Sequence, residues 1–197
     1  MWIRYSPLVV YSGKLWAMVD FIVGDYCIRV FIGEVPSIYE HYILHAEVVF
    51  DADLQNEGTA VYIVIYNNVE KDSKYTIIAF RSQPLGFAGF SPSIYFEPQT
   101  TILFIGGGSI IKTIDLRTKK IIYEKDQGYG FWTWAKYGDV IVYSEELAFG
   151  VFNTHGTHLW ETPVEPPHSY KITGDKVMLK FDGKEEVRNL YSGELAH

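Results

Sequence analysis

Residues 139–162 read DVIVYSEELAFGVFNTHGTHLWET: an apolar strand, a short break, an alternating strand, a polar turn and a third strand. The same scheme comes before it, at 101–126, as TILFIGGGSIIKTIDLRTKKIIYEKD, and after it, more loosely, at 175–195 as DKVMLKFDGKEEVRNLYSGEL. The strand starts Ile102, Val140 and Val177 are 38 and 37 residues apart, and the turn positions Asp115, Asn153 and Asn189 are 38 and 36 apart. A period of that length with three or four short strands per unit is the signature of stacked β-blades. Asp or Asn after a strand, followed by small or polar residues, reverses the chain tightly. The aromatics beyond two of these turns, Tyr123 and Trp160, are placed to pack between neighbouring sheets. One such unit cannot bury both of its faces and needs neighbours. Three are too few for a closed propeller, which takes about four to eight blades, so the first hundred residues must supply partner sheets or leave the array open.

Those residues are less regular but still read as strands: LVVYS (8–12), YCIRVFI (26–32), HAEVVF (45–50), AVYIVIYN (60–67) and KYTIIAF (74–80). The last two flank NVEKDS and form a hairpin. PSIYEHYILH (36–45) fits one short helix with Ile38, Tyr42 and His45 on one face, and QPLGFAGFSPS (83–93) is the best boundary. The expected fold is all-β, made of antiparallel sheets. A partial propeller-like or sandwich array of C-terminal blades (91–197) packs on an N-terminal antiparallel β region (1–90), and the two share one core.

Composition narrows the function classes. With 48% hydrophobic, 16% aromatic and 21% charged residues, the 197-residue chain can build a sizeable core and is not generally disordered. A net charge of −7 repels phosphate backbones and argues against direct nucleic-acid binding. Cys27 is the only cysteine, which excludes a disulfide scaffold. No long uncharged apolar run and no signal-like N-terminus occur, so the expectation is a cytoplasmic protein without a membrane span.

Each motif that could carry chemistry has a plainer reading. His41 and His45 have metal-ligand spacing on a helix but no evident third ligand, and His155 and His158 fall at a turn. Gly106–Gly108 joins two strands and lacks the Lys-Ser or Lys-Thr of a phosphate loop, so it reads as a hairpin or bulge. Cys27 sits in an apolar strand, the usual place of an inert thiol. Glu145 and Glu146 are adjacent and cannot act as a pair from one strand face. No catalytic, cofactor or metal residues are assigned, and the chain does not read as an enzyme.

Charge placement is more informative. Between Arg29 and Lys71 there is no Lys or Arg, yet Glu34, Glu40, Glu47, Asp51, Asp53, Glu57 and Glu70 all fall there. A second such gap, from Lys136 to Lys171, contains Asp139, Glu145, Glu146, Glu161 and Glu165. Uncompensated acidic stretches interleaved with aromatics (Tyr39, Tyr42, Phe50, Trp132) suit docking of a basic protein.

One stretch carries a resemblance. Within residues 131–179, Phe131, Trp132 and Trp134 are followed by Gly138, Asp139 and Val140, by Ser144, Glu146 and Leu147, and by Trp160. Val164, Glu165, Pro166, Pro167 and Tyr170 complete the run. It resembles a family of small non-enzymatic bacterial β-repeat proteins, and the single blades resemble quinoprotein-like and WD-type propeller repeats. The calcium- and quinone-binding residues of quinoproteins are absent, so no cofactor carries over. Some relatives in that family look like immunity proteins that neutralise toxin domains of contact-dependent inhibition systems. The resemblance thus implies a toxin inhibitor that occludes its cognate toxin's active or substrate-binding site; the acidic charge, which mimics phosphate, favours a basic nuclease domain as the partner, with an RNase preferred. Glu146, a carboxylate in an apolar strand setting, needs a donor partner. The alternative is a non-enzymatic scaffold or sensor module that binds another host protein.

Overall fold

Each blade-forming strand in this chain must hand the backbone to a tight turn, and the turn residues recur with the strands. The computed structural model describes residues 2–5, 9–11, 14–33, 37–51, 58–69, 74–82, 92–126, 128 and 130–196, with side chains from residue 18 onward except those of 51 and 82. The chain divides into two compact units, Met1–Phe87 and Ala88–His197.

The second unit holds three antiparallel sheets. The first contains β8 (Ser93–Glu97), β9 (Ile102–Gly107), β10 (Ile110–Asp115) and β11 (Lys120–Lys125). The second contains β12 (Phe131–Tyr137), β13 (Val140–Glu145), β14 (Ala148–Asn153) and β15 (His158–Pro163). The third contains β16 (His168–Thr173), β17 (Lys176–Phe181) and β18 (Lys184–Asn189), with Leu195 bridged to Arg188 beside its outer strand. Every sheet runs in chain order from one edge to the other. These are propeller-like blades, and each expected three-strand unit is preceded by one further strand.

The turn after the third strand has one chemistry throughout. Asp115 Oδ1 accepts from the backbone N–H of Arg117 and Thr118, Asn153 Oδ1 from His155 and Thr157, and Asn189 Oδ1 from Tyr191 and Ser192. The next backbone N–H (Leu116, Thr154, Leu190) then donates to the carbonyl of the residue opening the blade's first hairpin (Thr101, Asp139, Asp175) at 3.1, 3.1 and 2.7 Å. That hairpin contains a left-handed residue at φ 60°, 59° and 60°: Thr101, Gly138 and Gly174. Glycine fits this conformation without the penalty a Cβ brings.

The first unit follows the same grammar under a disguise. It contains β1 (Trp2–Tyr5), β2 (Val9–Tyr11), β3 (Lys14–Val23), β4 (Tyr26–Ile32), α1 (Ile38–Leu44), β5 (Ala46–Asp51), β6 (Thr59–Asn67) and β7 (Tyr75–Ser82). The sheet order is β1-β3-β4-β6-β7-β5, with β2 also paired to β3. Gly24, at φ 58°, turns β3 into β4; Asn68 N–H donates to the Asp25 carbonyl at 2.7 Å, and Asn67 Oδ1 accepts from Val69 N–H. Strands β3, β4, β6 and β7 are therefore a fourth copy of the blade. In the other three copies the second and third strands are joined by residues 108–109, 146–147 and 182–183; here residues 33–58 lie between them. This arm leaves at Gly33, returns at Gly58, and is closed at its base by Gly33 N–H donating to the Ala60 carbonyl at 2.9 Å.

Blade packing follows strand alternation. From the middle blade of the second unit, Ile141, Tyr143 and Phe152 join Ile102, Phe104 and Ile111 of the blade before it. Val140, Val142, Phe149, Val151 and Trp160, on the opposite face, join Val177, Leu179 and Leu190 of the blade after it. Each fully buried large apolar side chain contributes on the order of 1.5–3 kcal/mol. Trp160 bridges two blades as its spacing suggested, with Nε1 donating to the Leu190 carbonyl at 2.9 Å. The glycine triplet is a strand end and turn: a Cβ on Gly106 would fall 2.4 Å from the Phe131 ring, and Gly108 turns the hairpin at φ 58°. Among the described residues, no helix is long and apolar enough to cross a membrane.

Candidate functional site

The arm and the middle blade hold the acidic residues singled out from the sequence, and the structure treats the two groups differently. On the arm, α1 is pinned to one face of the first sheet by two tyrosines. Tyr39 packs on Tyr62 with ring centroids 4.5 Å apart, and Tyr42 sits among Phe31, Tyr75 and Ile77. Arg29 forms a fork onto Asp20, with both N···O distances 2.7 Å, and also donates to the Tyr42 hydroxyl. The Asp20 carboxylate beside it holds this guanidinium firmly protonated, although burial opposes the charge. This clamp fixes α1 to β4.

The other side of α1 faces outward. Ile38, Ile43 and Leu44 are 48%, 39% and 80% exposed, and Glu40 is exposed in the first turn, where the helix dipole favours a carboxylate. No ion pair is made by Glu40 among the described residues. Strand β5 follows and runs parallel to β7, with Val49 opposite Ile77 and Asp51 opposite Ala79. Ile77 and Ala79 belong to the face that α1 covers, so Val49, 44% exposed, lies on that face too. Glu47 is exposed at a register shift between Ala46 and Val48. Phe50 is half-buried. Glu34, Asp53, Glu57 and Glu70 lie outside the described residues, as does the side chain of Asp51.

In the middle blade two carboxylates of the acidic gap, Glu145 and Glu161, are met by one cation from outside it. Lys125, on β11 of the preceding blade, reaches Glu145 at 2.8 Å and Glu161 at 2.6 Å. Tyr143 donates to Glu161 and lies 3.3 Å from His158 Nε2, while Tyr123 stacks on His158 at 4.9 Å. Burial opposes ionisation of Glu161, but Lys125 and Tyr143 outweigh it and hold the carboxyl below its ordinary value. Burial likewise works against the Lys125 ammonium, and the two carboxylates raise it above its ordinary value. Burial lowers His158 and raises Tyr143 and Tyr123. Lys136 makes a second tie to the preceding blade, reaching the buried Glu97 at 2.6 Å.

Two expected surface contacts are corrected by this geometry. Tyr42 is 5% exposed and Glu145 is fully buried, so neither offers an accessible face to a partner: Tyr42 anchors the helix and Glu145 ties two blades. Glu146, expected to need a donor for its carboxylate, lies in the turn after β13; its neighbour Glu145 is the carboxylate that has one. Trp132 is 37% exposed and stacks on His168 at 4.6 Å, far along the chain from the arm. His41 and His45 are exposed with rings 4.4 Å apart, and no group of three metal-ligating side chains forms among the described residues. Sequence reasoning passed over Lys125, Lys136 and Glu97. Their signal is a charge inside or at the end of a largely apolar or aromatic strand, as in SIYFE and FWTWAKY, which obliges a partner.

Comparison with protein-family models finds no match, and comparison with curated proteins finds none. Among solved structures the chain is similar to the AfRom2 CNH domain, at 11% identity and TM-score 0.42, over 91% of this chain and 53% of that one. It is also similar to BamB from Moraxella catarrhalis, at 12% identity and TM-score 0.42, over 95% of this chain and 62% of that one. The chain thus spans less than two thirds of the length of either. What the structure itself establishes is an all-β chain of antiparallel, propeller-like blades, one of which carries an acidic arm.

Proposed function

We propose that this protein is a cytoplasmic, non-enzymatic immunity protein that neutralises a basic nuclease toxin domain by covering its active or substrate-binding site. One observation carries the reading. The arm at 33–58 interrupts a blade that is otherwise kept, and it contains six carboxylates with no Lys or Arg. A two-residue turn serves the fold in the other blades, so the extra chain has a purpose other than closing the sheet. Its side chains suit a protein interface: exposed Ile43, Leu44 and Val49 supply apolar contact beside Glu40 and Glu47. A surface that binds RNA or DNA is positive, and an acidic inhibitor competes for the same charge. RNase activity in the partner is the favoured version. The resemblance of residues 131–179 to small bacterial β-repeat proteins, some of which look like immunity proteins, supports the same class.

The test is co-expression with the product of the adjacent upstream gene, followed by purification and a growth assay. A tight equimolar complex that restores growth is the expected result; no complex and no rescue overturn the reading. Charge reversal at Asp51, Asp53 and Glu57 should then slow association, most clearly at low salt, because long-range charge attraction acts mainly on encounter. A second reading, a scaffold or sensor module that binds another host protein, rests on the same arm and predicts a complex without rescue.

A further inference from the structure

The outer surface of α1 carries a pair of imidazoles that neither the fold nor the docking reading uses. His41 and His45 are four residues apart, the spacing that sets two side chains one above the other on a helix. Both are exposed, and their ring centroids lie 4.4 Å apart with a tilt of 36°. His45 closes the helix as its C-cap, and its Nδ1 lies 2.8 Å from the His41 carbonyl oxygen. A carbonyl only accepts, so Nδ1 carries the proton and Nε2 of the neutral ring keeps its lone pair. Metal-binding histidines are commonly held this way, by a backbone carbonyl on the nitrogen that does not bind. We infer that His41 and His45 together hold a divalent transition-metal ion, of the Zn²⁺, Ni²⁺ or Cu²⁺ class, on the outer face of the arm.

Ligand chemistry chooses the ion. Imidazole nitrogen suits Zn²⁺, Ni²⁺ and Cu²⁺, whereas Mg²⁺ and Ca²⁺ ask for a shell of oxygens. The metal–nitrogen distance is about 2.0–2.1 Å for zinc, so two rings this close reach one ion after small side-chain rotations. The base under the pair is fixed: Tyr75 meets His41 in an edge contact at 6.3 Å, and the buried Tyr42 anchors the helix. Charge agrees as well, since the arm between Gly33 and Gly58 has no Lys or Arg to repel a cation, and Glu40 is exposed next to His41. Among the described residues no third ligating side chain joins the two. Water therefore takes the other positions of the ion, as at the open position of a catalytic zinc. The histidines of the middle blade contrast with these: His158 Nε2 lies 3.3 Å from the Tyr143 hydroxyl, and its ring stacks on Tyr123.

The probe is Zn²⁺ titrated into the whole protein, followed by calorimetry and by the ring resonances of the histidines. One ion per chain that shifts His41 and His45 together is the expected result, with Cu²⁺ binding more tightly and Mg²⁺ silent. His41→Ala and His45→Ala should each weaken Zn²⁺ binding about tenfold or more. Both positions are exposed and alanine favours helix, so neither change removes α1. His155→Ala should leave the affinity as it is. Absence of binding at millimolar Zn²⁺, or equal affinity in parent and both variants, overturns the site. Displacement of Zn²⁺ by an equal concentration of Mg²⁺ would mean attraction by the acidic arm alone, and overturns it too. The site and the immunity reading fail independently, because this titration needs no partner.

Discussion

The first blade and the middle blade obey the same turn chemistry but use the connection between their second and third strands in opposite ways. In the middle blade, residues 146–147 close the hairpin, and the carboxylates nearby turn inward to meet Lys125. In the first blade the same connection is expanded to residues 33–58, and Glu40 and Glu47 point outward. Two stretches that look alike in sequence, both acidic and free of Lys and Arg, therefore differ in kind. One is internal bracing between blades; the other is an exposed arm. Lack of local cations does not by itself mark a docking surface, because the fold can bring a cation from a distance, as it brings Lys125 to Glu145 and Glu161.

The largest effect expected from this contrast follows replacement of residues 34–57 by a two-residue turn such as those of the other blades. Toxin binding in a pull-down should be lost, while residues 131–189 keep their amide protection. Retained binding would place the interface elsewhere. Next comes Lys125→Met, which leaves the fully buried Glu145 carboxylate without its ammonium and should cost about 3–5 kcal/mol in chemical denaturation. Lys125→Met combined with Glu145→Gln and Glu161→Gln should recover much of that loss, and toxin affinity should be unaffected in both.

Smaller changes test whether the blades are equivalent. Asn153→Ala removes an acceptor for two backbone N–H groups and should cost about 1 kcal/mol. Asn189→Ala should match it, and Asn67→Ala in the first unit should move stability the same way. A neutral Asn67→Ala would break the equivalence of the first blade. The smallest effect is in pH. His158 titrates below its ordinary 6.5, so its share of stability is complete above that value and is lost as pH falls through the interval beneath it. Glu161 titrates below its ordinary 4.5, so its share is present above 4.5 and is lost as pH falls further. Denaturation midpoints should fall on acidification from neutral pH, and His158→Phe should flatten the first part of that decline.

Much of this architecture is legible in the sequence because turns are local. The spacing of Asp115, Asn153 and Asn189 locates three blades without any knowledge of pairing. The fourth escaped notice since its own marker, Asn67, stands after an insertion that destroys the period. The first strands of the blades are also faint: FWTWAKY alternates imperfectly, and HSYKIT is half polar. Long-range choices are the least legible. Nothing local says that Glu145 rather than Glu146 is the buried carboxylate, because that depends on where Lys125 of another blade arrives. Parallel pairing of β5 with β7 is equally hidden, since it is set by α1 crossing the sheet on Tyr39 and Tyr42.

The central claim, that the arm is the docking element, is tested most directly by amide hydrogen exchange of the protein alone and saturated with the product of the adjacent upstream gene. Protection gained in α1 and β5, with little change around Trp132 and His168, is the predicted result. Protection confined to the blades of the second unit would contradict it.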